Sequence, residues 1–348
     1  MNIKTLEERL DAVISPVMNE NTPGMALLIA KGDQVLIRKA YGLADMEAKR
    51  LIRPDDNFVI ASNSKQFTCI AILMLEQEGL LDLDEPIARF FPDFPEYRNY
   101  VTIRQMMSHC SGIKEYFEEG RWESNPRISV AETPEMLEII KSFGDLDFEP
   151  ETQYSYSNSA YVMLGNIVEQ LSGMSFGQFL QKRIFEPVGM DHTCAPDDSR
   201  QKPSALIEGY TLQEDGSFQK RVYDMALVGY ADGNIQSNVD DMYKWHKYLY
   251  MSDSEALLPR ERLAEAFREN KLKDGSGTGY GFGFFVENAE GHYPEDHREI
   301  WHTGGTNGFI SRCSRYVDDG LTVVMLTNYE GLPKNELYKK LADVIFAE

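Results

Sequence analysis

From Ser64 to Glu78 the chain runs without glycine or proline, and Gly79 then supplies a stop signal. Phe67, Ile70, Ala71, Leu73, Met74 and Leu75 cover most of the circumference of the helix this stretch predicts. A helix apolar nearly all round must be buried, so the rest of the chain has to close around it. At its N-terminal end, Ala61-Ser62-Asn63-Ser64-Lys65-Gln66-Phe67 sets a hydroxyl and an amine on one side of the first turn. Free backbone N–H groups and the positive end of the helix dipole point to the same place. Acyl transfer needs a nucleophile, an acceptor for its proton and donors for the developing oxyanion. The competing reading makes Ser62 an N-cap and Lys65 a surface residue, and S-x-x-K alone does not decide between them.

Two further clusters lie downstream. Tyr154-Ser155-Tyr156-Ser157-Asn158-Ser159 stands between a loop containing Pro150 and an apolar helical run, Tyr161 to Leu171. Tyr156 can serve as a base or proton relay and Asn158 as a polar clamp. Alternatively this is a tyrosine-rich loop in which Asn158 or Ser159 caps the next helix. Trp301-His302-Thr303-Gly304-Gly305-Thr306-Asn307-Gly308 is flanked by strand-like residues. Its glycines admit a substrate close to the backbone, with His302 and Thr303 as polar contacts. It can equally be a glycine-rich strand end with a solvated histidine.

The remaining pattern supplies a frame. Ile3, Leu6, Leu10, Val13, Ile14 and Val17 predict an amphipathic helix over 3–18. Met25 to Ala30 and Gln34 to Tyr41 form a hairpin around Gly32-Asp33, and Phe309 to Val317 and Leu321 to Asn328 form another. Thr102 and Gln105 make a capping box, Thr133-Pro134 opens a helix to about Ser142, Asp240 and Asp241 open another, and a strand is expected from Tyr280 to Val286. Leu337, Leu341, Val344 and Ile345 mark a final amphipathic helix. Pairing the two hairpins gives one antiparallel sheet, with the terminal helices on one face and the Ser62 helix on the other. The expected organisation is an α/β (α+β) sheet domain of residues 1–65 plus 273–348, a mostly helical subdomain of 66–272, and a cleft between them.

Several functions are set aside. The formal charge of −21 without a basic block argues against nucleic acid and anionic membranes as partners. The first ten residues are charged and no apolar run approaches the roughly 20 residues of a membrane span, so the chain as written reads as cytoplasmic unless a leader was trimmed. Cys69, Cys110, Cys194 and Cys313 are widely spaced without C-x-x-C. No metal is expected: Asp82-Leu83-Asp84-Glu85 lacks the glycine and terminal glutamate of a calcium loop, and His292, His297 and His302 recur at an interval that suits neither a helix nor a strand face. Gly173-Met174-Ser175-Phe176-Gly177 matches a nucleophile elbow, but the preceding residues are helical in period, so Gly173 ends one helix and Ser175 caps the next.

With all three clusters in hand the chain resembles the penicillin-recognising serine hydrolases, most closely the branch of class C β-lactamases and D,D-peptidases with its esterase and D-aminopeptidase relatives. Ser62-Asn63-Ser64-Lys65 matches S-x-x-K, Tyr156-Ser157-Asn158 matches Y-x-N, and His302-Thr303-Gly304 matches K/H-T-G. Met107-Ser108-His109-Cys110-Ser111-Gly112, Ile184-Phe185-Glu186-Pro187-Val188-Gly189-Met190 and Tyr280-Gly281-Phe282-Gly283 also match. The resemblance implies a β-lactamase/transpeptidase-like fold and an acyl-enzyme on Ser62, without a metal or organic cofactor. It implies that Lys65 and Tyr156 share the proton work, that Asn158 holds Lys65 and the substrate amide, and that the N–H groups of Ser62 and Gly305 form the oxyanion hole. Tyr156 would also activate the water that releases the acyl group. His302 replaces the lysine of β-lactamases, and a neutral histidine attracts a carboxylate less. The implied substrate is a small molecule or peptide: a β-lactam, a D-amino-acid peptide or a small ester, with the histidine favouring the last two. Cys110 stands where threonine is usual and reads as packing. The alternatives are a non-catalytic ligand-binding or sensor protein on the same fold, and an α/β-hydrolase acting through Ser175.

Overall fold

The computed structural model describes residues 3–118, 133–197, 205–221, 230–286 and 291–347. Loops 111–134 and 186–224 are expected from the sequence to line the cleft; their residues 119–132, 198–204 and 222–224 lie outside the described residues. Five antiparallel strands form the main sheet: β1 (Met25–Lys31), β2 (Gln34–Tyr41), β3 (Glu299–Thr306), β4 (Phe309–Tyr316) and β5 (Leu321–Thr327), in the order β2-β1-β5-β4-β3. The two hairpins meet in the middle, where Met25 pairs with Thr327 and Lys31 with Leu321. The β1–β2 turn falls at Gly32, whose φ of 55° suits glycine.

The alternation of side chains along the central strands gives each face its own core. Met25, Leu27, Ile29, Val323 and Met325 pack beneath helices α1 (Ile3–Ile14) and α5 (Lys334–Phe346), which contribute Leu6, Leu10, Ile14, Leu337 and Leu341. Ala26, Leu28, Ala30, Val324 and Leu326 face the opposite way. There they join one continuous core with α2 (Lys65–Gln77), α3 (Asn158–Ser172) and α4 (Val239–Tyr250). Every residue of α2 from Lys65 to Leu75 is buried, as its all-round apolar pattern requires. Phe67 stacks on Trp245 of α4 at 4.4 Å. No helix among the described residues is long and apolar enough to cross a membrane.

Three local expectations need correction. The first helix ends at Ile14 rather than residue 18. Residues 280–286 form no strand; Phe285 makes isolated bridges to Tyr280 and Trp301. The reason is a close approach: a Cβ on Gly283 would lie 2.7 Å from the Lys65 carbonyl oxygen, so this segment turns to pack on the backbone at the start of α2. Helix α3 is capped by Ser157, whose Oγ accepts from the Ala160 N–H at 3.2 Å, and not by Asn158 or Ser159. That choice leaves the Asn158 side chain available. Ser175 does cap the helix Phe176–Leu180, and its hydroxyl donates to Asp197.

Candidate active site

Ser62 lies in a single 3-10 turn, Ala61–Ser64, that runs straight into α2. The turn is held from several sides. Ser311 Oγ of β4 donates to the Ile60 carbonyl at 2.6 Å, Asn63 Nδ2 donates to Ser311 Oγ at 2.8 Å, and Ser64 Oγ accepts from the Ile235 N–H at 3.1 Å. Ala61 sits at a φ of 48°, a conformation L-residues avoid, so the surrounding contacts hold strain next to Ser62. Strand β3 presses against this turn. A Cβ on Gly304 would meet the Ile60 carbonyl oxygen at 2.2 Å, so only glycine fits.

Neither part of the bland reading of Ser62 and Lys65 survives. Ser62 does not cap α2, whose N-cap position is Ser64, and Lys65 has 0% exposure. Lys65 Nζ has three polar neighbours: Asn158 Oδ1 at 2.7 Å, the Asp232 carbonyl oxygen at 2.8 Å and Ser62 Oγ at 3.3 Å. The first two can only accept. They occupy two N–H directions of the amine, and the third faces Ser62, where a neutral amine carries its lone pair. Burial lowers the Lys65 pKa to about 8, against the pull of Asp232, Glu115 and Cys69.

Tyr156 is in the same place but in a different electrostatic position. Its ring lies 4.9 Å from Lys65 Nζ and 4.2 Å from the His109 ring. Burial raises its pKa well above 10, and the approach to Ser62, which falls short of hydrogen-bond geometry, only tempers the rise. Of the two groups expected to share the proton work, the lysine is therefore the one free to accept a proton, while the tyrosine keeps its own and can pass one on only as a relay resupplied by the lysine.

His302 is buried, with both ring nitrogens engaged. Nδ1 faces the Thr303 carbonyl at 2.5 Å, so it must carry the proton, and Nε2 then accepts from the Tyr280 hydroxyl at 3.0 Å. Burial and, to a lesser degree, Lys65 lower its pKa to about 3, so the ring is neutral. In this structure it braces β3 and has no nitrogen to spare for a ligand. Thr303 is half-buried and Gly305 exposed on the same edge strand. Tyr156 and Thr303 open onto a cavity of about 980 Å³ whose wall also includes Tyr154, Phe285, Trp301 and Lys334. Among the described residues no cluster of His, Cys, Asp or Glu is placed to hold a metal ion.

The structure thus gathers Ser62, Lys65, Tyr156 and Asn158 at one point, and sets Thr303 to Gly305 alongside. It also adds groups that the motifs did not name. Asp232, followed by Gly233, contributes a backbone carbonyl that no side-chain pattern reports. Glu115 follows the His109-Cys110-Ser111-Gly112 stretch and belongs to none of the three motifs. Its carboxylate accepts from Asn158 Nδ2 at 3.2 Å and from the Asn158 backbone N–H. His109 accepts the Ser157 N–H at 3.0 Å; it was visible only inside a supporting stretch.

The profile of the family described as Beta-lactamase matches residues 10–347. The chain belongs to the β-lactamase family. Within the family it is 31% identical to Penicillin-binding protein 4* of Bacillus subtilis over 320 residues, covering 87% of this chain and 68% of that protein. It is 28% identical to a D-aminopeptidase of Brucella anthropi over 321 residues, covering 91% of this chain but only 58% of the relative. The chain spans about three fifths of the D-aminopeptidases it matches. Among solved structures, a penicillin-binding protein homologue from Pyrococcus abyssi superposes with a TM-score of 0.82 at 23% identity, over 100% of this chain and 78% of the other. A D-amino acid amidase from Ochrobactrum anthropi gives 0.79 at 24%, over 98% and 97%. These two likenesses establish the shared β-lactamase-type fold.

Proposed function

We propose that this β-lactamase-family chain is a serine hydrolase that cleaves an amide or ester through an acyl-enzyme on Ser62. The observation that carries the reading is the coordination of Lys65, with two directions filled by acceptors and the third on Ser62 Oγ at 3.3 Å. Neutral Lys65 takes the serine proton as Oγ bonds to the substrate carbonyl carbon. The carbonyl oxygen becomes an oxyanion, held by the N–H groups of Ser62 and Gly305. When the carbonyl reforms, the bond to the leaving group breaks, and Tyr156 passes the leaving heteroatom a proton that Lys65 replaces. Water, deprotonated by the same pair, then releases the acid. Peptides and small amides with D-residues are the favoured substrates, in keeping with the relatives named D-aminopeptidase and D-amino acid amidase.

The test is turnover of p-nitrophenyl acetate, a D-amino-acid p-nitroanilide and a chromogenic β-lactam, with intact mass recorded beside Ser62→Ala. Turnover and an acyl adduct on the wild type, both absent from the variant, are expected. No turnover and no adduct on the wild type would leave a binding protein. Labelling that survives in Ser62→Ala but is lost in Ser175→Ala would move the nucleophile.

The third motif brings no cation to the site, but the C-terminal helix does. Lys334 Nζ lies 3.9 Å from where a Gly305 Cβ would stand. It is half-buried and has no ion pair among the described residues, in a chain with 56 acidic residues. Lys334→Met is expected to raise KM roughly tenfold for a substrate whose leaving group carries a carboxylate, the ~1.5 kcal/mol of a charge-assisted hydrogen bond. KM for the matching carboxamide should stay the same; equal effects on both would remove Lys334 from substrate recognition.

A further inference from the structure

The two non-reacting acceptors of Lys65 are held by two consecutive residues. Glu115 holds the first. One oxygen of its carboxylate accepts from Asn158 Nδ2 at 3.2 Å and the Phe117 N–H at 2.8 Å; the other accepts from the Asn158 N–H and the Ser159 N–H. Four N–H donors converge on one side chain, which an acceptor-only carboxylate satisfies and a carboxamide does not. The contact to Nδ2 also sets the polarity of the Asn158 amide. With its NH₂ turned to Glu115, its oxygen must face Lys65. Tyr116 holds the second acceptor. Its hydroxyl donates to Asp232 Oδ2 at 2.7 Å, and its N–H to Ser159 Oγ at 3.0 Å. The Tyr230 N–H fixes the other Asp232 oxygen at 2.8 Å, so the Asp232 carbonyl is presented to Lys65 from a residue tied at both ends of its side chain.

We propose that Glu115-Tyr116 is a positioning clamp for Lys65: Glu115 orients Asn158 and Tyr116 orients Asp232, leaving Ser62 as the only direction open to the lysine lone pair. The clamp rests on the reading of Lys65 as the acceptor of the Ser62 proton. It also places a negative charge one amide away from Nζ. The other groups around Nζ are the Asp232 carboxylate, the Cys69 thiol, the rings of Tyr156 and Tyr161 at 4.9 and 5.3 Å, and the neutral rings of His109 and His302. Glu115 is thus one of two carboxylates that keep the lysine from losing its proton too readily.

The experiment reads Lys65 directly in the full chain. Lysines are labelled with ¹³C at Cε, the Lys65 signal is located by its loss in Lys65→Arg, and its titration is followed in wild type and Glu115→Gln. Burst acylation by p-nitrophenyl acetate is measured in parallel, with Tyr116→Phe added. In Glu115→Gln the Lys65 titration is expected to move down by about one pH unit, because a nearby negative charge is gone. Acylation should fall roughly 10- to 100-fold with KM unchanged. Tyr116→Phe, which lacks a single oxygen, should lose roughly tenfold in acylation, again without a change in KM. A merely structural cap would lower stability but leave acylation by the folded protein unchanged. An unmoved titration with acylation within twofold of wild type in both variants overturns the clamp. If Glu115→Gln does not fold, unimpaired acylation by Tyr116→Phe overturns it alone. A wild type that is never acylated, with a Lys65 titration that still moves in Glu115→Gln, supports the clamp and removes the hydrolase reading instead.

Discussion

Lys65→Arg should lower the acylation rate by about 10³- to 10⁴-fold, as much as losing the base costs known serine hydrolases, if the proposed role holds. Arginine keeps the positive charge and most of the length but cannot give up its proton in this range. It therefore separates a base from a cation that merely attracts substrate, and an arginine variant with near-wild-type acylation would exclude Lys65 as the base. The wild type supplies the matching pH dependence. In the proposed mechanism the reactive form is neutral Lys65, so kcat/KM should rise with pH through about 8 and be lost below it as the amine protonates. A rate independent of pH between 6 and 9 would contradict this. Tyr156 cannot replace the lysine in that range, because burial has pushed its pKa the wrong way for a base.

Glu299→Ala should cost about 3–5 kcal/mol of stability, lowering the unfolding midpoint by roughly 5–15 °C. Glu299 begins β3 and accepts from Arg312 Nη2 of β4 at 2.9 and 3.1 Å, with side-chain exposures of 0% and 4%. The guanidinium lies between the rings of Trp301 at 4.2 Å and Tyr338 at 3.7 Å, on the wall of the cavity beside β3. Removing the carboxylate strands a cation among aromatic rings, which is far worse than never having had the pair. Glu299→Leu combined with Arg312→Met should recover much of the loss. By contrast, removing the exposed Lys4–Glu8 pair should leave the midpoint unchanged. Calorimetric unfolding of the four proteins decides it; a single variant as stable as wild type would show that Arg312 finds another partner. Because β3 carries Thr303 to Gly305, the single variant should also lose activity before it unfolds.

Much of this was legible before any coordinates, because it was written in local periods. Apolar positions all round residues 64–78 could only mean a buried helix. The near-continuous apolar runs in Met25–Ala30 and Leu321–Leu326 pointed to strands covered on both faces, and the turn at Gly32 needed a residue at ease with positive φ. Ser62, Lys65, Tyr156 and Asn158 stood in recognisable spacings. Local reasoning failed where a long-range contact outweighed it. Residues 280–286 carry strand-like side chains, yet Gly283 turns because the backbone at Lys65 occupies the space. The local pattern left Asn158 as either a clamp or a cap; Ser157 takes the cap, which leaves Asn158 to the lysine.

The sequence by itself determined the framework and the chemical types at the site: a buried helix with a serine and a lysine on its first turn, hairpins to close the sheet, a tyrosine and an asparagine to meet them. Only the tertiary structure decided how those groups behave. Burial lowers the pKa of the lysine, and the carbonyl of Asp232, 167 residues away, and the amide of Asn158, 93 residues away, orient its amine. The amide's orientation in turn depends on Glu115. The cation missing from the third motif arrives as Lys334 from a helix on the opposite face of the sheet. A backbone carbonyl has no signature in a sequence, and a pKa is set by what encloses a group in space. Both exist only once the chain has closed.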